Sequence, residues 1–317
     1  MKQKSKAALI GGAVLGLLLC CAGCARSDSG AWAAKAPFYK IVQSQAGDYQ
    51  DHRTDWENAT KAQEIFLELE QTCGAFICST WNYDLLDGKR RYELRADTEI
   101  PVAYDYYGQS ITVSAHYFDE TPIQDITGAD VCTLLHHEAD IIDILVPEHA
   151  RGDEDMLVSL YQEYMLFNNV EVDNIYREVL GQAPNEKQAA DFSVNVIYVP
   201  EHTSYTVYDP AIACDTIEDC LVIVVGAENF HRVQLNALLT QGFYLRADND
   251  MQSAVQRVYA AHDYAAGLHS LQSVPALYSA WRRDAALTGV IIARLVFAGA
   301  ACLAGGVLFI AQRRRRR

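Results

Sequence analysis

Apolar residues recur at helical spacing in four stretches of the chain, and each stretch is predicted to be a helix. They are Trp56–Gln71, Asp153–Phe167, Asn229–Thr240 and a segment that starts at Met251. Eight shorter segments are apolar throughout or alternate between apolar and polar residues, as β-strands do. They are residues 76–83, 91–94, 111–118, 140–146, 194–199, 204–208, 220–225 and 243–246, with 204–208 expected to pair with 194–199. Strands interspersed with helices predict an α/β or α+β domain.

Two of the predicted strands end in the same tripeptide, Pro-Glu-His, at residues 147–149 and 200–202. This likeness is one indication that the domain consists of two similar halves. The boundary between them would lie in the polar, proline-containing stretch near residues 182–190. In that arrangement His149 and His202 would lie close together. A shared metal site is then one interpretation, and two ordinary strand ends are the other.

Both ends of the chain are apolar. Residues 7–25 contain no charge and are long enough to cross about 30 Å of hydrocarbon as a helix. Residues 285–312 contain one charge, Arg294, and are apolar or small from residue 295 to residue 311. Both segments are therefore predicted to span a membrane.

Basic flanks orient these two segments. Residues 1–6 carry three lysines, and residues 313–317 are five arginines. Because positive flanks stay in the cytoplasm, both chain ends are predicted to be cytoplasmic. Residues 26–284 then form a domain outside a bacterial cytoplasmic membrane, and their last part, 251–284, is predicted to be a helical stalk.

The first apolar segment is open to three interpretations, all of which leave residues 26–284 outside. It is an uncleaved signal anchor, a cleaved signal peptide, or the signal of a lipoprotein lipidated at Cys24. The lipoprotein interpretation rests on Cys21-Ala22-Gly23-Cys24, which has Cys21 where the lipoprotein pattern favours leucine.

The charges are unevenly distributed along the chain. Of its 26 basic and 41 acidic residues, the two ends contain nine of the basic ones and none of the acidic ones. Residues 26–284 therefore hold all 41 acids against 17 bases. Because a surface with this charge repels nucleic acid, nucleic-acid binding is excluded as a function.

Each apolar segment contains two small residues spaced four apart. They are Gly12 and Gly16 in the first segment, and Ala301 and Gly305 in the second. Such spacing lets helices pack closely in lipid, although chance in segments rich in glycine and alanine explains it equally well. Arg294 either extends to the outer interface or pairs with an acid on a partner helix.

The outside part contains five cysteines, and an extracytoplasmic location permits disulfides. Cys73/Cys78 and Cys214/Cys220 are the pairs closest in sequence and are the candidate disulfides. Cys132 is the fifth cysteine. The connectivity is left open by the sequence.

His136-His137-Glu138, with Asp140 and Asp143 nearby, is the one cluster with metal-ligand residue types. Adjacent histidines cannot share a helical face, and the zincin motif needs them four residues apart. We interpret the cluster as a polar loop or helix end before a strand. The chain also lacks a Gly-x-Ser-x-Gly nucleophile elbow and a phosphate-binding P-loop. The sequence thus predicts no catalytic residue, no metal site, no cofactor and a non-enzymatic role.

Several motifs occur in order along the outside part. They are Ile-Thr-Val-Ser-Ala-His-Tyr-Phe (111–118) with Thr-Pro-Ile-Gln-Asp-Ile-Thr-Gly (121–128), Ile-Leu-Val-Pro-Glu-His (144–149), Leu-Tyr-Gln-Glu-Tyr (160–164), and Val-Asn-Val-Ile-Tyr-Val (194–199) with Tyr-Thr-Val-Tyr-Asp (205–209). This order resembles the extracytoplasmic region of the bacteriocin-associated integral membrane protein family. That region lies between the first two membrane helices of an ABC-type permease of the macrolide-exporter kind.

The resemblance implies a non-enzymatic membrane component in bacteriocin export or immunity, with an ATPase subunit in trans. Family members continue into further membrane spans, whereas this chain stops at Arg317, so a separate membrane-span partner is also expected. One alternative is a membrane-tethered extracytoplasmic binding or sensing domain. Another is an extracytoplasmic hydrolase, which would need a cleft with converging titratable groups.

Overall fold

The computed structural model describes residues 29–43, 51–86, 88–95, 100–136, 138–247, 250–284 and 287–288. Residues 31–275 cluster into one unit, which is the domain considered below. Residues 276–284 are helical and belong to a second unit.

Helices and strands are interspersed along the domain. The helices are α1 (Ser29–Ala34), α2 (His52–Cys73), α3 (Tyr117–Glu120), α4 (Glu154–Leu166), α5 (Val172–Leu180), α6 (Arg232–Gly242) and α7 (Met251–Ala261). The strands are β1 (Phe38–Gln43), β2 (Phe76–Ser79), β3 (Leu85–Leu86), β4 (Lys89–Arg90), β5 (Ser110–Val113), β6 (Ile141–Pro147), β7 (Ser193–Val199), β8 (Ser204–Thr206), β9 (Thr216–Glu218), β10 (Leu221–Val224), β11 (Phe243–Arg246) and β12 (Leu268–Ser273). A π-helical turn, Phe167–Glu171, joins α4 to α5.

Eight of these strands pair into one mixed sheet in the order β12-β1-β11-β2-β5-β10-β6-β7. β5 and β10 are parallel neighbours, as are β6 and β7. The other neighbouring pairs are antiparallel. β10 lies between β5 and β6 and is buried on both faces, which explains why Leu221–Val224 is apolar throughout. The prediction of a domain that mixes helices and strands is confirmed.

Four helices cover one face of the sheet. α2, α4, α6 and α7 each contribute buried side chains to a single core, examples being Phe66, Tyr161, Leu239 and Val255. The apolar positions of α2 recur at helical spacing, so that one face of this helix is buried. This arrangement places the carboxyl end of α2 close to the centre of the sheet.

Aromatic side chains fill the opposite face of the sheet. The ring of Phe76 contacts the rings of Phe38, Tyr117, Tyr208 and Tyr244 at centroid distances of 6.2, 6.1, 5.1 and 5.9 Å. Most of these pairs meet edge to face, the geometry that aromatic rings favour. The sheet therefore has a buried core on each side.

Four of the predicted strands differ from the structure. The strands predicted at residues 76–83 and 111–118 end at Ser79 and Val113, and helical turns follow at Trp81–Tyr83 and Tyr117–Glu120. Residues 91–94, which alternate as a strand would, lie in a short 3-10 helix, Arg91–Arg95. β8, at residues 204–206, pairs with β9 and not with β7. Leu94 is exposed, so alternation in a short segment does not by itself indicate a buried strand, and the partner of a strand is decided by packing elsewhere in the chain.

The helical stalk predicted for residues 251–284, with breaks near Gly267 and Pro275, is interrupted in the structure by a strand. α7 ends at Ala261, and β12 follows as an edge strand antiparallel to β1. Gly267 and Pro275 interrupt the helical pattern on either side of β12. Pairing with β12 also covers the backbone groups of β1, which would otherwise be exposed.

The interpretation of two similar halves is not supported. The two Pro-Glu-His tripeptides follow β6 and β7, which are adjacent and parallel in one sheet. α4 and α5 form the connection between these strands, and residues 182–190 are part of it. The tripeptides therefore mark neighbouring strand ends within a single β-α-β unit.

None of the helices that the structure describes is long and apolar enough to cross a membrane. The segments predicted to span one, 7–25 and 285–312, lie outside the described residues apart from Leu287 and Thr288. The same holds for the individual residues singled out in these segments: Gly12, Gly16, Cys24, Arg294, Ala301 and Gly305.

Candidate ligand-binding site

A cavity lies beyond the carboxyl ends of β5 and β10. Because these strands are parallel neighbours, the chain leaves both at the same edge of the sheet, through residues 114–116 and 225–229. In open sheets that contain parallel strands, ligands bind preferentially outside such strand ends. The cavity here has a volume of about 150 Å³, and we call it the strand-end pocket.

Four titratable side chains line the strand-end pocket, and they come from four separate parts of the chain. They are Glu70, His116, His136 and Glu228. Leu67, Ala115 and the end of β10 supply apolar walls. Among the described residues that line it there is no lysine or arginine. The pocket therefore combines a small apolar wall with acids and imidazoles.

Asp143 fixes the position of His136. Strand alternation places the fully buried Asp143 side chain on the face of β6 opposite Ile142 and Ile144. Asp143 Oδ2 accepts the backbone N–H of His136 at 2.9 Å, and Oδ1 lies 3.2 Å from His136 Nδ1. Because an ionised carboxylate only accepts hydrogen bonds, Nδ1 carries the proton. The neutral ring then offers Nε2 as an acceptor.

His116 is held in the same way. It lies between β5 and α3, and its Nδ1 is 2.6 Å from Asp119 Oδ2, one turn further along the chain. The Asp119 carboxylate requires a proton on Nδ1, so Nε2 of His116 is the ring atom left for a ligand. Two imidazoles at the pocket thus have the same tautomer, each oriented by its own aspartate.

Glu70 lies in the last turn of α2. The helix ends after Cys73 because Gly74 adopts a left-handed conformation, with φ 60°, and donates its backbone N–H to the carbonyl of Glu70 at 3.1 Å. Burial raises the pKa of the Glu70 carboxyl to about 7, an effect that the charge of His116 partly offsets. Within the described part of the chain, no hydrogen bond or ion pair to this carboxylate is formed. The carboxylate is half-buried, and the His116 imidazole acts on it through its charge without forming an ion pair with it.

Hydrogen bonds hold the loop after β10. Asn229 Oδ1 accepts the backbone N–H of Gly226 at 2.7 Å, and Asn229 Nδ2 donates to the carbonyl of Ile141 at 3.0 Å. From α2, Gln63 Nε2 donates to the carbonyl of Ala227 at 2.6 Å. These bonds tie the loop to β6 and to α2, so this wall of the pocket is preformed.

The cluster at residues 136–138 is divided in the structure. His136 and Glu138 lie in a loop, while His137 lies outside the described residues. Asp140 pairs with Lys187 at 2.6 Å, so only Asp143 of the two nearby aspartates reaches the cluster. The described residues contain no group of three or more His, Cys, Asp or Glu side chains that could hold a metal ion.

The two histidines of the Pro-Glu-His tripeptides pair with acids. His149 Nδ1 lies 2.9 Å from Glu201, the acid of the neighbouring tripeptide. His202 Nδ1 lies 3.3 Å from Asp219. The parallel register of β6 and β7 brings the tripeptides to one edge, where the His149–Glu201 contact joins them at the surface.

The five cysteines in the described part of the chain are free thiols. Cys73 packs against the helix-side core, whereas Cys78 lies on the aromatic side of the sheet, 3.9 Å from the carbonyl of Thr206. A disulfide between them would require β2 to move. Burial raises the pKa of Cys78 to about 12, which makes its thiol unreactive. Cys214 and Cys220 both lie close to Tyr83, and their disulfide stays a prediction.

Three of the four titratable pocket residues, Glu70, His116 and Glu228, are not predicted by the sequence. His116 does carry a signal, since it is a polar residue just after an apolar strand. Glu70 carries none, because it is one of three acids in the Glu64–Glu70 segment of α2. Only the packing of α2 on the sheet shows that this one faces the pocket.

Comparisons of the chain with protein-family models, with curated proteins and with solved structures found no match. The function is therefore argued from the pocket geometry and the charge pattern.

Proposed function

We propose that this protein is a membrane-anchored extracytoplasmic binding or sensing domain whose ligand occupies the strand-end pocket. The observation that carries the proposal is the convergence of Glu70, His116 and His136 on one cavity beside two parallel strand ends. Binding sites typically place a few oriented polar groups in a preformed apolar cavity. The carboxylate partners of the two histidines supply that orientation.

The membrane anchor is supported by the sequence. Two apolar segments, 7–25 and 285–312, flank the domain, each with a basic outer flank and without acidic residues. The described residues 274–284 are helical and lead directly into the second segment. In this proposal the domain lies outside the bacterial cytoplasmic membrane, and both ends lie inside the cell.

A non-enzymatic role is the simpler interpretation of the pocket. Converging titratable groups are also what a hydrolase requires. The described lining residues include no serine, threonine, cysteine, lysine or tyrosine, so a nucleophile would have to be a glutamate or a histidine of the pocket. The titratable side chains of the pocket are equally suited to accepting hydrogen bonds from a ligand.

Filling the pocket tests the binding proposal. The full chain in lipid nanodiscs would be screened with chemically varied small molecules by thermal unfolding. A ligand at 100 times its Kd should stabilise the folded state by about 2.7 kcal/mol. Ala115→Leu, in the pocket wall, should abolish this stabilisation, whereas Ala190→Leu, at an exposed position, should retain it. Full stabilisation of the Ala115→Leu variant by every ligand would refute the proposal.

Reporter fusions test the membrane topology separately. A reporter that is active only outside the cell should be active at residue 150 and inactive after Arg317. Activity at both positions would contradict the arrangement with two spans.

A component of a bacteriocin-linked, ABC-type export or immunity complex is the second candidate function. It is favoured by the ordered motifs between residues 111 and 209 and by the two flanking apolar segments. Ala301, Gly305 and Arg294 would then contact a partner that holds further membrane spans, with an ATPase subunit in trans. Affinity capture of the tagged chain in mild detergent should recover both partners. Recovery of the chain alone would favour the tethered binding domain.

A further inference from the structure

We infer that the ligand of the strand-end pocket is a small organic amine, held through its primary ammonium group. This inference rests on the function proposed above and adds the chemical class of the ligand. It follows from the hydrogen-bonding atoms of the pocket, its charge and its size.

The oriented titratable side chains of the pocket offer acceptors to a ligand. Asp119 and Asp143 occupy Nδ1 of His116 and His136, which leaves Nε2 of each ring as an acceptor when the ring is neutral. The Glu70 carboxylate is a third acceptor group. A primary ammonium carries three N–H donors and no acceptor, so its donors match three acceptor groups in number and kind.

The charge of the pocket favours a cation. Glu70 and Glu228 line it, and no lysine or arginine does so among the described residues. A cationic ligand would supply the ion pair that the Glu70 carboxylate does not form with the described residues, and hydrogen bonds between charged groups are the stronger kind. The acidic excess of residues 26–284 also raises the local concentration of cations. An anionic ligand would be repelled on each of these grounds.

The size and walls of the pocket favour an amine over a bare metal ion. A volume of about 150 Å³, bounded by Leu67 and Ala115, has room for a short apolar body beside the ammonium group. A short alkylamine satisfies both the acceptors and the apolar wall.

A matched set of probes tests this inference on the full chain in phosphatidylcholine nanodiscs, by ligand-observed NMR titration. The probes are n-butylammonium, N,N,N-trimethylbutylammonium, n-butanol and butyrate. The trimethyl compound keeps the positive charge but lacks the N–H donors, so it tests the donors. n-Butanol keeps the apolar body but lacks the charge, and butyrate has the opposite charge. We expect n-butylammonium to bind most tightly and butyrate not to bind.

Two variants locate the binding. Glu70→Gln removes the charge from the acceptor and should weaken n-butylammonium binding by about 10- to 100-fold. Glu57→Gln, on the exposed side of the same helix, is the matched control and should bind as the wild type does. Circular dichroism of each variant checks that it is folded.

The possible results separate this inference from the proposed function. The amine inference is overturned if n-butanol or butyrate binds as tightly as n-butylammonium, or if Glu70→Gln binds n-butylammonium as tightly as the wild type does. It is also overturned if no amine binds, or if a Zn²⁺ titration shows a stoichiometric site that Glu70→Gln removes. In each of these cases the proposed binding function still stands if the wild type binds some other ligand and the Ala115→Leu variant does not bind it. If the Ala115→Leu variant binds every ligand as tightly as the wild type does, the proposed function is overturned as well.

Discussion

Replacing Asp143 by asparagine should destabilise the domain, because the carboxylate accepts hydrogen bonds from three donors. These are the backbone N–H of His136 at 2.9 Å, the Nδ1–H of His136 and Asn195 Nδ2 at 2.6 Å. In one orientation of the new amide, its NH2 group faces the backbone N–H of His136, which cannot accept. In the other orientation it faces Asn195 Nδ2.

Asn195 cannot adapt by turning its own amide over. Its Nδ2 also donates to the carbonyl of Leu134 at 3.0 Å, and a flip would place an oxygen against that carbonyl. Either orientation of the substituted side chain therefore leaves a donor facing a donor in a buried position.

The magnitude follows from the bonds that are lost. A hydrogen bond to a charged group contributes about 1.5–3 kcal/mol, and leaving a buried donor unsatisfied costs about 1–3 kcal/mol. We expect Asp143→Asn to lower the free energy of unfolding by about 2–4 kcal/mol. In a domain of this size that corresponds to a Tm lower by about 4–16 °C. Thermal unfolding of the full chain in mild detergent, followed by circular dichroism, measures it.

Asp263→Asn is the matched control. The Asp263 side chain is fully exposed and lies 3.7 Å from Lys61, and its φ of 51° is one that asparagine tolerates. This variant should change the free energy of unfolding by less than about 0.5 kcal/mol. If both variants have the same Tm as the wild type, Asp143 is not the hydrogen-bond acceptor that orients His136.

Three further predictions concern the pH dependence of stability, thiol reactivity and packing. Because burial raises the pKa of Glu70 from 4.5 to about 7, the folded state binds this proton more tightly than the unfolded state does. The free energy of unfolding should therefore fall as pH rises across that range, and Glu70→Gln should have a Tm above that of the wild type only at the higher pH. Iodoacetamide should modify the half-buried Cys73 in the native protein and spare the buried Cys78, as mass spectrometry of labelled peptides would show. Gly242→Ala would place a Cβ 2.1 Å from the carbonyl oxygen of Cys78 and should cost about 1–3 kcal/mol or more, whereas Gly152→Ala, with nothing within 4 Å, should not change Tm. The first prediction is contradicted if the Tm difference between Glu70→Gln and the wild type does not vary with pH. The second is contradicted if Cys78 is labelled as fast as Cys73, and the third if Gly242→Ala and Gly152→Ala have the same Tm.

The sequence by itself determined most of the local structure. The spacing of apolar residues predicts α2, α4 and α6, because a helix buried on one face must repeat its apolar positions every three or four residues. The apolar run at residues 220–225 predicts a strand buried on both faces, which is β10. The charge partition between the ends and residues 26–284 is likewise a property of the sequence alone.

The tertiary structure decided which of these elements meet. Residues 268–273 continue a helical pattern in sequence, yet they form β12 because β1 offers an edge for pairing. In the sequence, Asp143 does not differ from the other acids. In the structure, β6 places its side chain on the face of the sheet where it accepts the backbone N–H of His136. Glu70 reaches the pocket because α2 packs across the sheet and ends at Gly74. Local spacing records only whether a side chain is buried, whereas the pocket depends on strand order. Strand order is set by contacts between segments far apart in the chain, so only the folded structure brings Glu70, His116 and His136 to one cavity.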